Sequence, residues 1–109
     1  MPLQLGCDVV QISRLAETIR REGETFLNRV FLPNESEGAS IERLAGIFAA
    51  KEATCKALGI PAGLWHSINL THAPSGAPLL TVTGAPSSHE LSLSITHDGD
   101  YAFAVVIAS

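Results

Sequence analysis

From Ser40 to Gly59 the chain carries a helix start, a helix stop and, between them, a run that suits a helix throughout. Ser40 is an N-cap residue, Gly59 closes the run and Pro61 lies just beyond it. Ile41, Leu44, Phe48, Cys55 and Leu58 form an apolar stripe, with alanines nearby that allow close packing. Gly46 costs about 1 kcal/mol relative to Ala inside a helix, which points to tight packing of another element against it. A helix of this length needs a partner surface on which to bury its stripe.

The flanking sequence supplies that surface. Leu3–Ile12 reads as a strand, β-branched around Cys7-Asp8-Val9-Val10. Ser13 is a plausible N-cap for a polar helix over Arg14–Glu22, which ends at Gly23. Glu24–Phe31 reads as a second short helix, and Pro33 to Gly38 as a loop or frayed turn. After Pro61 the period changes. Ile68–Thr71 and Leu79–Thr83 read as strands around a turn with Pro74 and Gly76, and Gly84–Ser88 as a loop. Leu91, Leu93 and Ile95 alternate with Ser92, Ser94 and Thr96, Asp98-Gly99 signals a hairpin, and Tyr101–Ala108 is apolar enough for a central strand covered on both sides. The expectation is an α+β fold over residues 1–109 as one domain. Its antiparallel sheet packs against one long helix, with short N-terminal helices beside it.

Composition narrows the function classes. With 109 residues and 46% hydrophobic content the chain is not a disordered one. Its longest apolar runs are far short of the ~20 residues that span a bilayer, so no membrane association is expected. No secretory signal pattern is present, which fits a cytoplasmic protein. The net charge of −4 lacks the footprint of a general nucleic-acid binder. The positive charges are uneven, however. Arg14, Arg20, Arg21 and Arg29 cluster early, Arg43, Lys51 and Lys56 form a second group, and no Lys or Arg follows. A local basic patch on an acidic chain points to a specific acidic partner. Cys7 and Cys55 lie in apolar contexts and read as buried thiols, and the His and Cys spacings match no zinc site.

Three positions stand out chemically. Glu52 and Lys56 share a helix face. Local sequence favours a surface ion pair between them, and a metal-holding carboxylate beside a phosphate-holding lysine is the alternative. Asp8 sits inside a strand, where an acid is costly unless paired, metal-bound or at a wet edge. His97 closes the alternating strand, either as turn chemistry or as a base or phosphate ligand at the sheet end. Glycine-rich phosphate loops are absent from the sequence, so any phosphate binding must use side chains and metal.

Gly6-Cys7-Asp8 with Arg14, then Phe48-Ala49-Ala50-Lys51-Glu52-Ala53-Thr54-Cys55-Lys56-Ala57-Leu58-Gly59, then Ser94-Ile95-Thr96-His97, closely resembles the holo-(acyl-carrier-protein) synthases, the small members of the 4′-phosphopantetheinyl transferase family. The resemblance spans essentially the whole chain. It implies transfer of the 4′-phosphopantetheine arm of coenzyme A to a serine of an acyl carrier protein, releasing adenosine 3′,5′-bisphosphate. It implies Mg²⁺ held by Asp8 and Glu52, Lys56 on the coenzyme A phosphates with Lys51 and His97 among its contacts, and Glu52, Lys56 and His97 at the reacting groups. The proton acceptor is either His97 or a metal-bound water. Arg14, with Arg20 and Arg21 on the same polar helix, is expected to meet the acidic carrier protein. The family's small members are homotrimers with active sites at subunit interfaces. Ile47 stands where the family commonly has Arg, Ala77 where a Lys is common, and Leu32-Pro33 where a Thr is usual. The two missing cations keep a non-catalytic carrier-protein-binding module open as an alternative, beside an acidic structural domain with an ordinary Glu52–Lys56 salt bridge.

Overall fold

The computed structural model describes residues 3–84 and 90–109. Strand β1 (Gln4–Gln11) leads into helices α1 (Ile12–Glu22), α2 (Glu24–Val30), α3 (Pro33–Ser36) and α4 (Ile41–Leu58), followed by strands β2 (Ile68–His72), β3 (Pro78–Val82), β4 (Leu91–Asp98) and β5 (Tyr101–Ala108). All strand pairing is antiparallel, in a three-stranded sheet of order β1-β5-β4 and a two-stranded β2-β3 ribbon. This is the α+β arrangement expected from the sequence. Of the loop expected at Gly84–Ser88, positions 85–88 lie outside the described residues.

Helix α4 crosses the inner face of the three-stranded sheet, and two glycines set its path. Ser40 Oγ accepts a hydrogen bond from Arg43 N at 3.1 Å, and Gly59 ends the helix in a left-handed conformation with φ 68°. A Cβ on Gly6 of β1 would collide with the carbonyl oxygen of Ala53 and come within 2.8 Å of Ala57 N. A Cβ on Gly46 would lie 3.0 Å from Ile95 Cγ2 and 3.1 Å from His97 Nε2. The tight packing expected at Gly46 is therefore present, against β4. The C-terminal half of α4 lies on β1 and its N-terminal half on β4. Ala102, Ala104, Val106 and Ala108 of β5, all fully buried, form the floor beneath the helix.

Strand β5 is central, but within one chain it is covered on one side only. Its burial alternates, and the outer face exposes Tyr101, Phe103 and Ile107. Register places Leu5 beside Ile107 and Val9 beside Phe103, so the exposed side chains form one apolar face across two strands. Cys7 lies on this outer face and is exposed, whereas Cys55 is buried as expected. Burial pushes the Cys55 thiol above its ordinary pKa, helped by the nearby Glu52 charge.

Two local expectations are corrected. Helix α1 begins at Ile12, with Gln11 at its N-cap position and no side-chain cap there. Ser13 is inside the first turn, where its N donates to Asp100 Oδ1 at 2.9 Å and its Oγ to Asp100 Oδ2 at 2.5 Å. The cap comes from the β4–β5 turn, whose loop residues are Gly99, at φ 56°, and Asp100. The segment after Pro33 is helical rather than loop, with Pro at its first turn, because Glu35 is turned inward. That carboxylate accepts from Leu32 N and Leu70 N, both at 2.8 Å, and pairs with Lys51 Nζ at 2.7 Å.

Candidate functional site

Residues 48, 52 and 56 recur at four-residue spacing, so Phe48, Glu52 and Lys56 form one row along α4. That row flanks the edge of the sheet made by β1. Because strand side chains alternate, Asp8 points to the inner face, toward the helix, as Gly6 and Val10 do. Asp8, Glu52, Arg14, Thr18 and Phe48 line one cleft of about 350 Å³. A strand acid and a helix acid thus line the same cleft.

The contacts differ from a simple helix salt bridge. Lys56 Nζ donates to Asp8 Oδ1 and to the Cys7 carbonyl, both at 3.0 Å. Its pairing with Asp8 raises the Lys56 pKa above the usual lysine value. Glu52 pairs not with Lys56 but with Trp65, whose indole Nε1 donates to Oε1 at 3.0 Å. The i,i+4 ion pair favoured by local sequence is not the arrangement formed.

Lys51 is corrected more sharply. Its ammonium is fully buried and spends its three donors on Glu35 Oε1 at 2.7 Å, Trp65 O at 2.9 Å and Ile68 O at 2.8 Å. Desolvation lowers its pKa despite the Glu35 charge. No donor remains for a phosphate, so Lys51 belongs to the core and not to a coenzyme A contact. The helical phase holds a signal of this, since Leu44, Ile47, Lys51 and Thr54 follow one another at three- and four-residue steps and all are buried.

His97 lies across α4 from the acids. It belongs to a second cavity of about 540 Å³ with Ser40, Arg43, Ile47 and His72. His97 Nε2 is 2.9 Å from the Glu42 carbonyl oxygen. A carbonyl can only accept, so Nε2 is the donor in this contact, and the tautomer that donates from Nε2 has Nδ1 as its acceptor. Arg43, which the sequence reading did not single out, provides a cation in the cavity that Ile47 also lines. The helix separates the two cavities, and within one chain His97 does not join Asp8 and Glu52.

On α1, Arg14 reaches the acidic cleft and has no ion pair among the described residues. Arg20 is held by Glu17 through Nε at 3.0 Å and Nη2 at 2.5 Å, and Arg21 lies 3.6 Å from Glu22. All three are exposed.

The acidic cleft fits a hard divalent cation. Asp8 and Glu52 offer carboxylate oxygens, one Glu52 oxygen is held by an indole, and Mg²⁺ is commonly held by one or two carboxylates with phosphate oxygens and waters completing its shell. Among the described residues no group of three or more His, Cys, Asp or Glu side chains assembles as a metal site. Other ligands would therefore come from water or a bound molecule. Among the described residues no helix is long and apolar enough to cross a membrane.

Comparison with known proteins agrees in both sequence and fold. A family model described as the 4′-phosphopantetheinyl transferase superfamily matches residues 4–106. A holo-(acyl-carrier-protein) synthase of Frankia alni is 43% identical, covering 95% of this chain and 94% of its own. One from Chlorobaculum parvum is 36% identical over 96% and 97%. The crystal structure of the Helicobacter pylori holo-(acyl-carrier-protein) synthase in complex with coenzyme A superposes with a TM-score of 0.85 at 34% identity, covering 96% of this chain and 99% of that one.

Proposed function

The chain belongs to the 4′-phosphopantetheinyl transferase superfamily, and we infer that it moves the 4′-phosphopantetheine arm of coenzyme A onto a serine hydroxyl of an apo acyl carrier protein. Residues 1–109 act as one transferase domain. The observation that carries the reading is the meeting of Asp8, Glu52 and Arg14 in one cleft, with Lys56 bonded to Asp8 at its edge.

In the reaction the serine oxygen attacks the phosphorus that bears the pantetheine arm. The bond from that phosphorus to the bridging oxygen breaks, and adenosine 3′,5′-bisphosphate leaves with the electron pair. Asp8 and Glu52 would hold Mg²⁺, whose charge offsets the negative charge growing on the diphosphate. Lys56 adds a point charge beside Asp8 and can swing to a phosphate oxygen, since its side chain is 57% exposed. Arg14, at the cleft mouth, meets the acidic carrier protein with support from Arg20 and Arg21. Carrier proteins of fatty-acid and polyketide type both satisfy this chemistry. A cytoplasmic setting suits this reading, and among the described residues no helix is long and apolar enough to cross a membrane.

The acidic cleft and the His97 cavity on opposite sides of α4 suit a head-to-tail ring of copies, and the family resemblance makes that ring a homotrimer. In a closed ring the cleft of one copy would meet the second cavity of the next and bring the partner subunit's His97 toward Glu52. There Nδ1 is the acceptor for the serine proton or for a hydrogen bond from coenzyme A. The open apolar face of β1 and β5 needs such cover, since Leu5 is 66% and Val9 57% exposed in the single chain. Arg43 in the His97 cavity supports the catalytic reading over a carrier-binding module, because it provides a cation near the position where Ile47 lacks one.

Incubation with coenzyme A, Mg²⁺ and a panel of apo carrier proteins tests the reading by mass spectrometry. One carrier gains the mass of the arm on a serine, and Asp8→Ala or Glu52→Ala abolishes the gain. No gain on any carrier would refute the transfer, and a fully active Glu52→Ala would refute the metal assignment.

A further inference from the structure

The chain has one tryptophan, and it is bonded to the cleft carboxylate. Trp65 opens a single 3₁₀ turn, Trp65–Ser67, which follows the irregular stretch after Gly59. Two contacts fix it in place. Lys51, buried in the preceding helix, donates to Trp65 O and to Ile68 O, and so pins both ends of the turn. The indole packs at 54° on the Phe48 ring, with centroids 6.2 Å apart. With backbone and ring held, the N–H has one direction, and Glu52 Oε1 lies there at 3.0 Å.

An indole N–H only donates, and a half-buried one usually finds an acceptor. A bond from it to a carboxylate is charge-assisted. Glu52 otherwise has three rotatable torsions on a half-exposed helix face, and the bond removes most of that freedom. We propose that Trp65 is a positioning residue for Glu52: its N–H fixes the carboxylate at the cleft, so that the cation shared with Asp8 meets an oriented ligand. Lys51 acts at one further remove, by holding the Trp65 backbone. The proposal rests on the metal-dependent transferase reading above.

Trp65→Phe keeps a ring against Phe48 and removes the N–H. Calorimetric titration of Mn²⁺ into the coenzyme A-saturated protein should show affinity about tenfold weaker than wild type, the low end of what loss of an outer-shell partner does. The kcat of arm transfer should fall at limiting Mg²⁺ and recover at high Mg²⁺, with KM for the carrier protein unchanged. A second measurement stands if that variant misfolds. In metal-free protein, Trp65 emission should differ between wild type and Glu52→Ala, because the indole loses its acceptor. Equal Mn²⁺ affinity in a folded Trp65→Phe, or unchanged emission in Glu52→Ala, overturns the proposal. Wild-type protein that transfers nothing would overturn the transferase reading instead, while the emission comparison still decides the Trp65–Glu52 bond.

Discussion

Lys51 and Lys56 lie on the same helix, about 140° apart around its axis at 3.6 residues per turn. That rotation sends one to the interior and the other to the cleft. Lys51 is fully buried among a carboxylate and two carbonyls, and burial lowers its pKa. Lys56 is mostly exposed, and its partner Asp8 raises its pKa. Both look like phosphate ligands in the sequence, yet only Lys56 can leave its partner for a substrate. A lysine at a site is worth a functional reading when its existing contacts are replaceable, and Lys51's are not.

The largest effect should follow from breaking the buried pair. Lys51→Met leaves the Glu35 carboxylate buried without its cation and should cost about 3–5 kcal/mol in urea unfolding. The double variant Glu35→Leu/Lys51→Met should recover most of that loss. A single variant as stable as the double would show that the pair is not what holds α3 and the β2–β3 ribbon on α4.

Lys56→Met should do the reverse. Stability should stay within about 1 kcal/mol of wild type, as for other exposed pairs. Arm transfer should fall about a hundredfold, the scale for losing one group that stabilises developing charge. A variant that loses stability and keeps its rate would exchange the roles assigned to the two lysines.

Gly46→Ala sharpens the contrast between core and site at the other end of the helix. Helix propensity gains about 1 kcal/mol, and the added methyl presses on Ile95 and His97, whose side chains can shift. Melting temperature should change little while transfer falls through displacement of His97. Gly6→Ala meets backbone instead and should cost about 1–3 kcal/mol with no such relief.

The smallest effect concerns pH. Hydrogen bonds from the Ser13 hydroxyl and N–H hold the Asp100 carboxyl below its ordinary pKa. A folded-state pKa below the unfolded one adds stability that is present above the unfolded value, near pH 4, and is lost as pH falls through the folded value. Asp100→Asn should therefore be slightly less stable than wild type near pH 7, with the difference gone in strong acid. A difference that persists or grows in acid would contradict this cap.

Much of this architecture is legible locally. Ser40 and Gly59 mark α4, and the alternation from Leu91 to Thr96 marks β4, because caps and periods are properties of neighbouring residues. The convergence of Asp8 and Glu52 was read through the family resemblance, since strand-to-helix pairing at that distance leaves no local trace. Glu35 lies in a polar stretch that looks like loop, and its partner Lys51 looks like a coenzyme A contact through the family resemblance. Asp100 caps a helix through Ser13, 87 residues earlier in the chain, which no periodicity encodes. Tyr101–Ala108 reads as covered on both faces because its composition is apolar throughout. The single chain covers one face and leaves Tyr101, Phe103 and Ile107 exposed on the other.

Mixing two inactive variants, Glu52→Ala and His97→Ala, after partial unfolding and refolding together tests the shared site most directly. If each site takes Glu52 from one copy and His97 from the next, random mixing in a ring should restore about a quarter of wild-type transfer per site. A mixture no more active than its separate components would contradict a site built from two copies.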